Sequence, residues 1–209
     1  MSTPAAKAVP TAPQFGDPLP VAASPEVLDF LALRRSASAA TLQAPAPSAD
    51  QLRTLLRLAA RVPDHGKLAP WRFVVLQGAG KAAFVAGLEA IARDRPDGAR
   101  AGQKLFKMRI PPLTVAVISR AQDSGDIPRW EQELSAGAVC TVLVVAAQAM
   151  GYGANWITDW YAYDERARAL LGLSPGEQVA GYIHIGTAAE APQERVRPDL
   201  EALTTVWAE

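Results

Sequence analysis

Apolar residues recur at helical spacing at Val27, Phe30, Leu31 and Leu33, and again at Leu52, Leu55, Leu56, Ala59 and Ala60. Both runs carry start and stop signals. Ser24-Pro25-Glu26 offers a hydroxyl N-cap, a proline at the first helical position and a carboxylate in the first turn, and the helix it opens ends at Arg34-Arg35. Ser48 with Gln51 makes a capping box for the second helix, which Pro63 closes. Each is expected to bury one stripe. The pattern then changes period. Trp71 to Leu76 is a short β-rich run, and Gly78 and Gly80 punctuate it before a helix through about Ile91. Pro111-Pro112 precede a second strand, Leu113 to Ser119, and a third and fourth are expected around Asn155 to Thr158 and Val179 to Gly186. Asp164 to Leu171 reads as a short amphipathic helix between them. Trp130 to Met150 is apolar nearly all round after its first turn, which predicts a helix covered on every side, the axis of the core. The tail from Thr187 to Glu209 is polar and proline-containing and closes on Leu203, Val206 and Trp207. Such an arm has little of its own to pack on and is expected to lie across something else, such as a second subunit. Helices and strands in this order predict an α+β domain.

With 209 residues and 49% hydrophobic content, one well-filled core is expected. Residues 25–209 would form that domain, and residues 1–24, rich in alanine and proline with only Lys7 as a basic residue, a disordered extension rather than a targeting signal. Lys plus Arg and Asp plus Glu balance at 21 each, so no global field attracts nucleic acid or an anionic membrane. A small-molecule partner fits better. The longest uncharged stretch, Leu134 to Met150, only reaches the lower limit of a membrane span at ~17 residues, and it contains Ser135, Gly137, Thr141 and Gln148. The single cysteine, Cys140, allows no internal disulfide and suits a reducing, cytoplasmic setting. It reads as a small hydrophobe, and His184 as core or edge packing. Two distant histidines and one cysteine leave no metal-ligand spacing, so no metal is expected.

Candidate chemistry sits in two places. Arg34, Arg35 and Ser36 offer forked guanidiniums and a hydroxyl at a helix end, a set suited to phosphate oxygens, although an arginine pair is also the ordinary make-up of a solvated helix face. The segment Arg61-Val-Pro-Asp-His-Gly-Lys-Leu-Ala-Pro-Trp-Arg-Phe73 brings His65 on a proline-bracketed loop, which also reads as plain turn chemistry. Trp71 and Phe73 are expected to pack the core. No Gly-x-Gly-x-x-Gly, Walker loop or Gly-x-Ser-x-Gly elbow supports a Rossmann oxidoreductase or a hydrolase.

Taken together, in this order and at this distance, the two segments resemble the compact single-domain branch of the nitroreductase family, the YdjA-like NAD(P)H nitroreductases. Pro128 to Gly137 is similar to that family as well, and the resemblance spans roughly Glu26 to Pro198. It implies a nitroreductase-like α+β fold, a central mixed sheet wrapped by helices, assembled as a homodimer with FMN at each subunit interface. It carries FMN contacts onto Arg34, Arg35, Ser36, Arg61, His65, Trp156, Ile157 and Thr158, and an NAD(P) segment onto Ala146, Ala147, Gln148, Ala149, Met150 and Gly151. Ile157 departs from the family, which has a charged residue there. Glu131 and Glu133 read as complements to the helix dipole. The implied activity is ping-pong transfer from NADH or NADPH through FMN to nitroaromatic, quinone or related acceptors, with no essential side-chain catalyst. Alternatives are a relative acting on an enone or on flavin itself, or a flavin-binding protein without turnover.

Overall fold

A computed structural model describes residues 9–123 and 125–207. Five strands are formed: β1 (Leu42–Gln43), β2 (Trp71–Gln77), β3 (Leu113–Ser119), β4 (Gly153–Ile157) and β5 (Gln178–Ala188). The long helices are α1 (Pro25–Leu33), α2 (Ala49–Ala59), α3 (Gly78–Arg93) and α6 (Arg129–Ala149). Shorter ones are α4 (Gly98–Lys104), α5 (Phe106–Arg109), α7 (Trp160–Tyr163), α8 (Glu165–Leu170) and α9 (Leu200–Leu203). The Ser48–Gln51 capping box forms as expected. Ser24 does not cap α1, because its hydroxyl donates to Glu26 instead.

β5 is the central strand, with β3 and then β2 on one side, while β4 and β1 also pair with it. The expected α+β architecture is present, but the sheet is not mixed: every pairing among the described residues is antiparallel. The reason lies in the connections. The helical excursions from β2 to β3 and from β4 to β5 each leave and re-enter at the same end of the sheet, so they act as long hairpins rather than parallel crossovers. Strand alternation then supplies two cores. Leu113, Val115, Val117, Ile183 and Ile185 face α2 and α6, and Leu76, Ala116, Ile118 and Tyr182 face α3 to α5, α7 and α8. Trp71 and Phe73 pack partly buried against the first core, as expected.

Two expectations about burial fail. α1 has no buried residue, and Val27, Leu28, Leu31 and Leu33 are all more than half exposed. A one-sided helix needs a surface to lie on, and no described residue of the same chain covers this stripe. α6 does run through the core, burying Val139, Cys140, Leu143, Val144, Ala146 and Ala147. It is not covered all round, however: Trp130, Leu134 and Thr141 form an open stripe at spacings of four and seven. By length and composition α6 could cross a membrane, yet half of its most apolar window is buried in the domain. The end of the C-terminal arm is exposed as well, with Leu203, Val206 and Trp207 each 70–84% accessible. Of the expected N-terminal extension, the first eight residues lie outside the described residues, and Pro10 accepts a hydrogen bond from the Arg57 guanidinium at 2.8 Å.

Candidate functional site

The segment after α1 turns at Arg34, whose backbone is extended, and passes beside the last turn of α6 and the start of β4. Two carboxamides hold it. Gln148 Oε1 accepts from Arg34 Nε at 3.2 Å, and Gln148 Nε2 donates to the Arg35 carbonyl. From β4, Asn155 Nδ2 donates to the Ala37 carbonyl at 2.6 Å, while the Ala37 amide donates to the Ala154 carbonyl at 3.0 Å. Arg34 therefore spends one donor of five on the fold and keeps its terminal nitrogens. Arg35 donates through Nε to the Gln193 carbonyl at 2.9 Å, with Glu194 at 3.6 Å. Arg35, Ser36, Ser38, Thr41, Glu190 and Gln193 line a cleft of about 380 Å³. Arg35 and Ser36 thus line one cradle together with Glu190, Arg34 is held beside it by Gln148 without lining it, and the arm crosses its rim.

Arg61 and His65 lie elsewhere. Arg61 is exposed, and its guanidinium has no partner among the described residues. The loop after it is built to present His65. Asp64 accepts from the backbone amides of Leu68 and Ala69 at 3.2 and 2.8 Å, and Ser135 donates to the Pro63 carbonyl at 2.8 Å while accepting from Trp71 Nε1 at 3.2 Å. Lys67 and Ala69 take left-handed backbone with φ of 56° and 44°, a conformation that costs on the order of 1–3 kcal/mol per non-glycine residue. Gly66, also left-handed at φ 71°, sits so close to Ile127 that a Cβ would lie 2.2 Å from Cδ1. Over this frame His65 Nδ1 meets Glu131 Oε2 at 2.7 Å. Glu131 is thus more than a dipole complement, whereas Glu133 pairs with Arg129 at 2.9 Å on its own helix.

The two halves do not meet within one chain. His65 is tied to Glu131 in the first turn of α6 and Arg34 to Gln148 in the last, and 17 intervening rises of about 1.5 Å put those anchors roughly 26 Å apart. The third group lies on β4. Trp156 is on the α6 side of the sheet, its ring over Gly181 and its Nε1 donating to the Ala180 carbonyl at 3.3 Å. Ile157, opposite Tyr182, faces the other core, and Thr158 accepts from the Tyr163 hydroxyl at 3.1 Å. In the segment from Ala146 to Gly151, Ala146 and Ala147 are core residues, Gln148 serves the cradle, and Ala149 and Gly151 are exposed with Met150 half-buried. Cys140 is fully buried, and burial pushes its thiol up to about 12, so it packs and does not react. Among the described residues no cluster of His, Cys, Asp and Glu could hold a metal.

Gln148, Asn155 and Glu131 are the site residues whose roles sequence reasoning did not supply. Glu131 is 66 residues from His65, and no local spacing encodes such a pair.

Comparison with known proteins adds a family. A profile described as the nitroreductase family matches residues 31–187. YdjA of Escherichia coli (strain K12), provisionally named an NAD(P)H nitroreductase, is 34% identical over 183 residues, covering 87% of this chain and 93% of its own. A Haemophilus influenzae protein with the same provisional name is 31% identical over 177 residues, covering 82% of this chain and 94% of its own. Among solved structures, a nitroreductase-like protein from Bacillus cereus superposes with a TM-score of 0.77 at 23% identity, over 90% of this chain and 98% of that one. A nitroreductase with bound FMN from Bacteroides fragilis gives 0.68 at 19% identity, over 88% of this chain and all of that one.

Proposed function

The chain belongs to the nitroreductase family, and from that premise we propose that it is an FMN-dependent oxidoreductase, drawing on NADH or NADPH and reducing a nitroaromatic, quinone or related acceptor. The observation that carries the reading is the cradle at Arg34, Arg35 and Ser36. Its guanidinium nitrogens and hydroxyl suit the terminal phosphate of a mononucleotide, and the two carboxamides fix the backbone that presents them. FMN, when bound, supplies the redox chemistry, accepting two electrons with a proton and passing them on. The side chains then need only bind, orient and hold charge. Glu131 fixes the His65 imidazole through Nδ1 and leaves Nε2 to face a ligand.

The separation of the halves along α6 supports a site shared between two copies. In a two-fold dimer with α6 helices antiparallel, the Arg34 end of one chain lies beside the His65 end of its partner, so each of two equivalent sites is completed across the interface. The open stripe Trp130, Leu134 and Thr141 and the uncovered apolar faces of α1 and the arm are the surfaces such a dimer would bury. The test is spectroscopic. The purified protein should be yellow, bleach on anaerobic addition of NADPH, and give parallel double-reciprocal lines when NADPH and a quinone are varied. A yellow protein that does not bleach would indicate flavin binding without turnover, and one that cannot be loaded with FMN would refute the reading.

A further inference from the structure

A row of polar side chains, buried up to the half-buried Asn155, crosses the sheet on the face away from α2 and α6 and ends at the cradle. Thr114 of β3 lies directly opposite His184 of β5, and His184 directly opposite Asn155 of β4. Side chains of such pairs share a face, with Cβ atoms roughly 4.5–5.5 Å apart. Lys81 of α3, 5% exposed, enters from one end, donating to the Pro111 carbonyl and, at 2.9 Å, to Thr114 Oγ1. Thr114 Oγ1 is 2.8 Å from His184 Nδ1. At the other end Asn155 donates to the Ala37 carbonyl.

Donor accounting gives the row a direction. An ammonium only donates, so Thr114 Oγ1 accepts from Lys81, and among the described residues its single hydrogen has no acceptor other than His184 Nδ1, toward which it turns. Nδ1 is then the acceptor of the imidazole, and Nε2 carries the proton. His184 is fully buried, and Lys81 and Lys107 are the charged groups that act on it. Burial first, then those two cations, push its pKa down to about 3, so the ring is neutral and holds one tautomer. Two buried atoms remain unpartnered on this row, His184 Nε2 and Asn155 Oδ1. One is a donor and the other an acceptor, on directly paired residues. A buried donor and a buried acceptor left unpaired are costly, which favours bridging the gap.

We propose that His184 and Asn155 are positioning residues of the anion cradle: His184 Nε2 donates to Asn155 Oδ1 through one buried water, and the carboxamide so oriented holds the Ala37 carbonyl and with it the Arg35-Ser36 turn. A carboxamide can flip, and the flipped form would set oxygen against the Ala37 carbonyl. The imidazole selects the productive orientation. The inference rests on the FMN reading and adds to it a device on the far side of the sheet.

The experiment titrates the full chain with FMN and with riboflavin, which lacks the phosphate, following flavin fluorescence. His184→Leu and Asn155→Ala should each weaken FMN about tenfold, the worth of one hydrogen bond, while riboflavin stays within about twofold. The double variant should be no worse than either single one, and His184→Gln, which keeps a donor, should recover most of the loss. Unchanged FMN affinity, an equal loss for both flavins, or multiplicative effects in the double variant would overturn the proposal. Nitrogen-15 spectra of the wild type provide an arm that needs no variant to fold and no flavin to bind. They should show the neutral Nε2–H tautomer of His184, and an Nδ1–H tautomer would overturn the proposed direction. Should the wild type bind neither flavin, the functional reading fails. The row is then judged by that tautomer and by Ala37 amide exchange, which Asn155→Ala should accelerate and which, if unaltered, counts against it.

Discussion

Arg34 is placed to serve the fold and, on the proposed reading, the ligand. Its Nε secures Gln148 and its remaining nitrogens are left for an anion, so Arg34→Ala should weaken FMN retention by about 1.5–3 kcal/mol, the range for hydrogen bonds to a charged group. Lysine should rescue only part of this, because it loses the fork that reaches Gln148 and phosphate together. Equal FMN affinity of wild type and alanine variant in a fluorescence titration would remove Arg34 from the site. The residue type and its neighbours, Arg34-Arg35-Ser36, were legible in the sequence because charge and donor geometry are properties of the residues themselves. What holds them was not legible. Gln148 is 114 residues from Arg34 and Asn155 118 from Ala37, and only the folded sheet brings a carboxamide to each side of the turn.

Among the elements, legibility followed length and period. β3 occupies Leu113–Ser119, the limits its apolar run and the preceding prolines set, and α6 differs from its expected span by one residue at each end. The helices α4, α5, α7 and α9 were not foreseen, since four to seven residues display little helical period, although α8, six residues long, was read as a short amphipathic helix. Periodicity also misjudged which faces are covered. It reports that a stripe is apolar and is silent on whether the same chain supplies the cover, so α1 and the outer side of α6 read as buried. A charge placed on that outer side tests the cover directly. Leu134→Glu leaves the inner face of α6 intact, so the chain should fold, sediment as a monomer and lose FMN at concentrations where the wild type is loaded, because ligand and assembly are linked by mass action. A variant that remains dimeric with stoichiometric FMN would exclude this face from the interface.

For the whole molecule, acid should be the weak side. The Glu177 carboxylate receives two Arg72 nitrogens at 2.7 Å each, with Arg120 at 3.4 Å, and the Arg72 hydrogen bonds hold its pKa down to about 2 from an ordinary 4.5. This lowered acid contributes stability in full above about pH 4.5 and loses it as pH falls toward 2. His184, lowered from 6.5 to about 3, remains neutral in the folded chain while the unfolded chain takes up a proton, so its contribution erodes as pH falls below 6.5. Urea unfolding should therefore show stability falling by up to about 1.4 kcal/mol per pH unit below 6.5, and more steeply below 4.5 where both groups act. His184→Gln should flatten the first of these windows; a profile unchanged from wild type would mean that His184 titrates freely in the folded chain.

The placement of the half-sites at the two ends of α6 has a genetic corollary. In the two-fold dimer proposed above, each pocket would take its cradle from one polypeptide and its imidazole from the other, so lesions in the two halves would not be equivalent to two lesions in one pocket. A chain carrying Arg34→Ala and a chain carrying His65→Ala are each damaged in both pockets of their own homodimer. Joined as a hybrid, they leave one pocket with both defects and the other with none. Co-expression from two alleles with random pairing should thus restore about a quarter of all pockets to full competence, and flavin content per polypeptide would count them. Two recessive alleles would complement each other within a single gene, and a cell carrying both would regain an activity that neither allele encodes alone.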